Sequence, residues 1–369
     1  MSSRSGVISS FIIVIVVFAA VGGLVFITNQ YAPSNIAVVV LDPGFGDRSM
    51  ADQAYQGLEE VDVVVNYDIR VAADAAEARD TMENIAAAGT HDLIVAIGDG
   101  LSGAVTDAAG NYPNQKFALI GAAPSLELDN VASATFAQHE AAFLAGSIAA
   151  FLATGNTNRS SIVGILGSIE GHATVEGLIA GFIQGLEHAN TTYNLNVTLL
   201  PIEYVDSFND SATAETLAYT MFSPLQGNAT VIYAPVRASI MGVRTAMERA
   251  NSTYFSDIIG REPFVIAAEG NQNYLGNPNI DIATGPSWIV ASVVPRSDLA
   301  VARVINATLW FVFEGGITDH YNLANDGVGL SDLFEFRSDA WVTDFMLNVT
   351  DDYRSAILNG SIIVDSTLP

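Results

Sequence analysis

The stretch Ile36–Glu60, IAVVVLDPGFGDRSMADQAYQGLEE, carries the elements of an α/β fold in their order. Ile36–Leu41 is short, Val-rich and apolar without alternation, the pattern of a strand buried on both faces of a parallel sheet. A loop rich in Gly and Asp follows, and a helix opens near Ser49. Ligands of open α/β sheets bind just outside the carboxyl ends of the strands, so Asp42, Phe45, Asp47 and Ser49 are expected around a cleft mouth, and Met50, next in the chain, is a further candidate ligand contact. The helix start adds unpaired backbone N–H groups. An ordinary βα loop, with Ser49 as N-cap and Asp52 as its capping partner, fits the same residues.

Outward from this stretch the alternation continues. Val61–Tyr67 reads as a strand, Ala72–Ala88 as a helix closed by Gly89, Leu93–Ile97 and Phe117–Ile120 as strands, and Val131–Phe136 as a strand leading into the helix Gln138–Leu152. Thr154–Ser160 is a polar linker. A second series then begins with the strand Ser161–Leu166 and the helix Thr174–Ala189, and runs through strands at Asn196–Tyr204, Thr230–Ala234, Phe264–Ala268 and Ala291–Val294. The expectation is two doubly wound parallel-sheet lobes. Lobe 1 spans 36–155 with a return segment near 286–315, and lobe 2 spans 156–285 with a C-terminal segment 316–369. Two such lobes on a linker make a hinged clamp with a ligand site between facing strand ends.

Composition narrows the partners. The 369 residues carry a net charge of −26, and Lys116 is the one lysine. Such a surface repels phosphate backbones, so no nucleic-acid partner is expected. The absence of cysteine excludes disulfides, thiolate metal sites and cysteine nucleophiles. Gly6–Ile27 is an uncharged apolar run of roughly 33 Å as a helix, enough to cross a bilayer core. Arg4 precedes it and no basic residue follows until Arg48, so a membrane anchor on residues 1–35, stalk included, with the bulk of the chain outside the cytoplasm is expected. Nine Asn-x-Ser/Thr triplets between Asn158 and Asn359 suit an exported chain.

No catalytic constellation stands out. The five histidines lack metal-site spacing, and there is no nucleophile elbow, phosphate loop or dinucleotide fingerprint; no cofactor is expected. Single residues at strand ends remain. Asp99 lies in Gly98-Asp99-Gly100, open to a ligand or to simple turn chemistry. Phe208, in VDSFND, offers a flat face to a planar ring or staples its own helix. Glu269 could accept two hydroxyl hydrogen bonds, and Arg237 could pair with an acid across the cleft or on the surface.

Six ordered stretches resemble the basic membrane protein family, nucleoside-type solute-binding proteins of ABC importers with the type I periplasmic-binding-protein fold. They are GFGDRSMADQAYQGL, YPNQKFALI, NVASATFAQHEAAFLAG, Val163–Gly167 with Gly181–Gly185, Asp206–Asp210 and GVGL at 327–330. The resemblance implies an extracytoplasmic receptor that hands a nucleoside-like small molecule to an ABC permease, without catalysis. It implies Phe208 as a stacking residue, Asp42 and Asp47 as polar contacts, and Glu269 at a ribose-binding position. Four departures surround that pocket: Met50-Ala51 for Phe-Asn, Gly121 for Asp, APVRASIM at 234–241 for a Gly-rich loop, and Pro295 for Lys. Arg237 or Arg296 would then stand in for the lost cation. The other reading these departures support is a sensing or structural derivative of the same fold.

Overall fold

The apolar run becomes the centre of β1 (Ser34–Leu41), buried from Ile36 to Val40. The computed structural model describes residues 33–61, 64–277, 286–332 and 341–368. β1 pairs in parallel with β2 (Val65–Ala72) and β3 (Leu93–Ile97), and the sheet continues through β4 (Phe117–Ile120) and β5 (Val131–Phe136). α1 (Met50–Glu59) covers one face of this sheet. α2 (Ala75–Ala88) and α3 (Ser102–Asn111) cover the other. Asp74 caps α2 by accepting from the Ala76 and Glu77 N–H groups, and Gly89 ends it at φ 60°. That αL residue relieves the last carbonyls at no steric cost only because it lacks a Cβ.

α4 (Gln138–Thr154) is buried from Ala141 through Ala153, as a helix apolar on all sides must be. It packs beneath a second sheet with α5 (Ala173–Tyr193). That sheet begins with β6 (Ile162–Gly167), whose neighbours are the short β7 (Thr198–Leu199) and β8 (Glu203–Tyr204). The single strand expected at 196–204 is split into these two; Pro201 between them lacks an N–H to donate. α6 (Ser211–Phe222), β9 (Val231–Ala234), α7 (Ile240–Ala250), β10 (Phe264–Ala267) and β11 (Ile289–Pro295) follow. α8 (Ser297–Leu309) returns to pack on α1, and β12 (Ile317–Tyr321) adds to the edge of the first sheet beside β5. β13 (Val328–Leu330) pairs antiparallel with β11, and α9 (Asp344–Leu358) packs on α4. The two orders are β12-β5-β4-β3-β1-β2 and β13-β11-β10-β9-β6-β7.

The chain therefore crosses between sheets three times: at Ala137, at Arg296, and between Tyr321 and Val328. These crossings differ from the lobe borders expected at 155/156, 286 and 315/316. The polar Thr154–Ser160 stretch is a surface connection inside lobe 2, because α4 already belongs to that lobe's core. β11 likewise belongs to lobe 2 and β12 to lobe 1.

Among the described residues no helix is long and apolar enough to cross a membrane. The anchor expected at Gly6–Ile27, and the stalk as far as Ala32, lie outside the described residues.

Candidate ligand-binding site

The strand ends of both lobes converge on one guanidinium. After β3, Gly98 takes φ 120° and turns the chain into a short 3₁₀ turn that begins with Asp99. After β9, the segment Pro235–Val236 leads to Arg237, at φ 48°; after β10 the chain reaches Glu269, at φ 65°. Arg237 Nη2 lies 3.0 Å from Asp99 Oδ1 and 2.7 Å from Glu269 Oε1, and its Nε donates to the same Glu269 oxygen at 2.8 Å. One arginine of lobe 2 thus joins its own carboxylate to one from lobe 1. Its Cζ sits 3.9 Å from the centroid of the Phe208 ring, a cation–π contact. The His172 ring meets the Phe208 edge at 5.0 Å. Thr174, in the first turn of α5, donates to Asp99 Oδ2 at 2.6 Å.

Charge follows from this arrangement. Burial opposes ionisation of Asp99, but Arg237, Thr174 and His172 together hold its carboxyl below the usual carboxylate range. Burial works against the Arg237 cation too, and the Glu269 and Asp99 charges outweigh it, so Arg237 holds its proton more tightly than a free arginine. Among the described residues Asp47 has no such partner. Burial pushes it up to about 6, against the pull of its hydrogen bond from the Ser49 N–H.

Four buried polar atoms here have no partner among the described residues: Glu269 Oε2, Gln272 Oε1, His172 Nδ1 and Ser168 Oγ. Unsatisfied buried groups are costly in a protein interior. Arg237 and Glu269, with Arg48 at φ 61° and Asp206 at φ 57°, are non-glycine residues in the left-handed region. Such strain gathers at ligand clamps. Among the described residues no group of His, Cys, Asp and Glu is placed to hold a metal ion.

The residues expected at the mouth divide in two. Asp99, Phe208, Arg237 and Glu269 form the cluster. Asp47 and Ser49 are buried at its border, where the Asp47 carbonyl, not its carboxylate, takes the Gln272 Nε2 donor at 2.7 Å. Asp42 is exposed and lies outside the cluster, spending its N–H on the Ala72 carbonyl. Phe45 packs edge-on against Tyr55 at 5.8 Å and against the core under α1. Met50 is buried; a Cβ on Gly121 would stand 2.9 Å from its sulfur, so these two departures from the family pattern fit one another. Ser49 makes no side-chain cap; Asp52 instead accepts from the Gly46 and Arg48 N–H groups and shapes the loop. Arg296 pairs with Asp298, so of the two arginines proposed to replace the lost cation Arg237 is the one in the cluster. His172, Thr174 and Gln272 were not singled out from the sequence, since the contacts that join them to the other lobe reach Asp99, Asp99 and Asp47, 73, 75 and 225 positions away.

A separate groove of about 700 Å³ is lined by Arg48, Asp52, Arg296, Asp326 and Arg354 among others. Arg296 and Arg354 are already engaged there by Asp298 and Asp326. None of the four unpartnered atoms named above belongs to a residue that lines this groove, and volume alone does not make a site.

The profile of the family described as "ABC transporter substrate-binding protein PnrA-like" matches residues 34–366. A Lactococcus lactis protein named "ABC transporter nucleoside-binding protein BmpA" is 27% identical over 300 residues, covering 80% of each chain. "Basic membrane protein A" of Borreliella burgdorferi is 26% identical over 333 residues, covering 89% of this chain and 87% of the relative. A crystal structure of an ABC transporter solute-binding protein from Aeropyrum pernix superposes with a TM-score of 0.77 at 23% identity, covering 90% of this chain and 94% of the other. With the match running from the first residue of β1 to within a few residues of the C-terminus, the chain belongs to the Bmp family of PnrA-like ABC transporter substrate-binding proteins.

Proposed function

We propose that this protein captures a nucleoside or a closely related polar solute between its two lobes, outside the cytoplasm, and presents it to an ABC permease. The observation that carries the reading is the convergence of Asp99 and Glu269, from strand ends of both sheets, on Arg237 where it lies on the face of Phe208. Glu269 supplies a buried carboxylate oxygen that a sugar hydroxyl would satisfy. Closure follows if a solute touching both lobes binds the shut form better than the open one. No bond is made or broken. The nucleoside-binding relative from Lactococcus supports the ligand class, and the apolar Gly6–Ile27 run supports attachment to the membrane.

A thermal-shift series with nucleosides, free bases and sugars tests the reading. A ligand at 100 times its dissociation constant should stabilise the protein by about 2.7 kcal/mol. Phe208→Ala should lose the shift for ring-bearing ligands. A shift that survives this substitution unchanged would take Phe208 out of the site.

The second reading is a derivative that has given up nucleoside capture for sensing or scaffolding. The observation in its favour is that Phe208 already has a planar group on its face.

A further inference from the structure

A planar group lies on an aromatic ring, and its N–H edge is held by carboxylates from two lobes. That is how a captured solute would sit, but here the group belongs to the chain itself. The Arg237 Cζ is 3.9 Å from the Phe208 centroid, Nε and Nη2 bind Glu269 of lobe 2, and Nη2 binds Asp99 of lobe 1. Around this bridge the lobes are shut. Gln272 donates across to the Asp47 carbonyl, Thr174 donates across to Asp99, and a Cβ on Gly270 would come within 2.2 Å of the Arg48 carbonyl oxygen. The left-handed backbone of Arg237, φ 48°, aims its side chain from a segment where the family pattern has a glycine-rich loop and this chain has APVRASIM.

We propose that the Arg237 guanidinium is a tethered guest: it occupies the Phe208 face and ties Asp99 to Glu269, so that the lobes shut without a solute and a ring-bearing ligand has to displace it. The second half rests on the nucleoside reading above; the first does not. The energetics support the bridge. Removing one member of a buried charge set leaves the others uncompensated in a low-dielectric site. Here the lobes can relieve that cost by swinging apart and letting water reach Asp99 and Glu269. Loss of Arg237 should therefore appear as opening. The tethered guest also lowers the apparent affinity for an external one, because only the fraction with a bare ring is competent to bind.

The absence of cysteine makes the test clean. In the full-length chain, Ser125→Cys on lobe 1 and Glu170→Cys on lobe 2, both exposed, would carry spin labels for a distance measurement without ligand. The expected result is one short distance in the parent and a distance longer by several ångströms in Arg237→Ala and in Asp99→Ala. Asp99→Ala breaks the bridge from the lobe 1 side while leaving Arg237 and Phe208 in place, so it decides the matter if Arg237→Ala does not fold. An unchanged short distance in Asp99→Ala, or in both variants, overturns the bridge. Calorimetric titration with inosine is the second arm. Arg237→Ala should bind at least about ten-fold more tightly than the parent, and equal affinities would overturn displacement. Opening of the variants with no inosine binding to any of them would sink the nucleoside reading and leave the bridge standing.

Discussion

Glu269 is the most enclosed charge of the cleft, its side chain 1% exposed, with one oxygen bound by Arg237 and the other unpartnered. Asp47, on the other lobe, is the reverse case: a buried carboxylate with no cation beside it among the described residues. Because its folded pKa, about 6, lies above the ordinary aspartate value of 3.8, the folded state binds this proton more tightly than the unfolded chain. The stability that Asp47 contributes is fully present below about pH 4 and is lost as pH rises through about 6, a loss of up to about 3 kcal/mol. Asp99 runs the other way, its contribution present at neutral pH and lost on acidification, because its folded pKa is depressed. Comparing a variant with its parent cancels that background. Asp47→Asn keeps an acceptor for the Ser49 N–H and should be more stable than the parent at pH 7 and no more stable at pH 4. Denaturant unfolding at the two pH values reads this, and parallel pH responses would refute it.

At the scale of elements, the tightest joint is between α4 and α5. A Cβ on Gly146 would lie 2.0 Å from the Phe182 carbonyl oxygen, one on Gly181 2.1 Å from that of His139, and one on Gly185 1.8 Å from that of Phe143. Backbone meets backbone at these positions, so nothing flexible can yield. Gly185→Ala should cost at least about 1–3 kcal/mol, measured as a lowered denaturation midpoint; an unchanged midpoint would mean that the helices can separate freely. This scale is also where the sequence was most legible. β1, β3, β4 and β10 are apolar runs whose burial admits one assignment, and α2 ends where Gly89 says it should. β12, ITDHY, was missed because an edge strand with polar residues has no apolar run to announce it. The membership of α4 in lobe 2 was missed because an all-apolar helix does not say which sheet it will cover. In the cleft, Asp99, Phe208, Arg237 and Glu269 were legible as strand-end residues. Their bonding was not, since the Asp99–Arg237 contact spans 138 positions and depends on how the lobes meet.

As a whole molecule, the protein is two sheets joined by three crossings, the arrangement that lets lobes rotate about a shared hinge. The crossing near Arg296 joins β11 of one lobe to α8 of the other, and Ser297 Oγ is fastened to the Met50 carbonyl at 2.9 Å. The candidate site lies away from these crossings on facing strand ends, so a small rotation would separate Asp99 from Arg237 without disturbing either core. At Gly270 the lobes meet backbone to backbone, with a would-be Cβ 2.2 Å from the Arg48 oxygen. Gly270→Ala should fold, because each lobe keeps its core, and should fail to shut. The most direct measurement is calorimetric titration of the full-length protein and its Gly270→Ala variant with inosine. Binding of one inosine per chain to the parent, weakened at least about ten-fold in the variant, is the expected result; equal affinities in the two proteins would contradict capture by closure of the lobes.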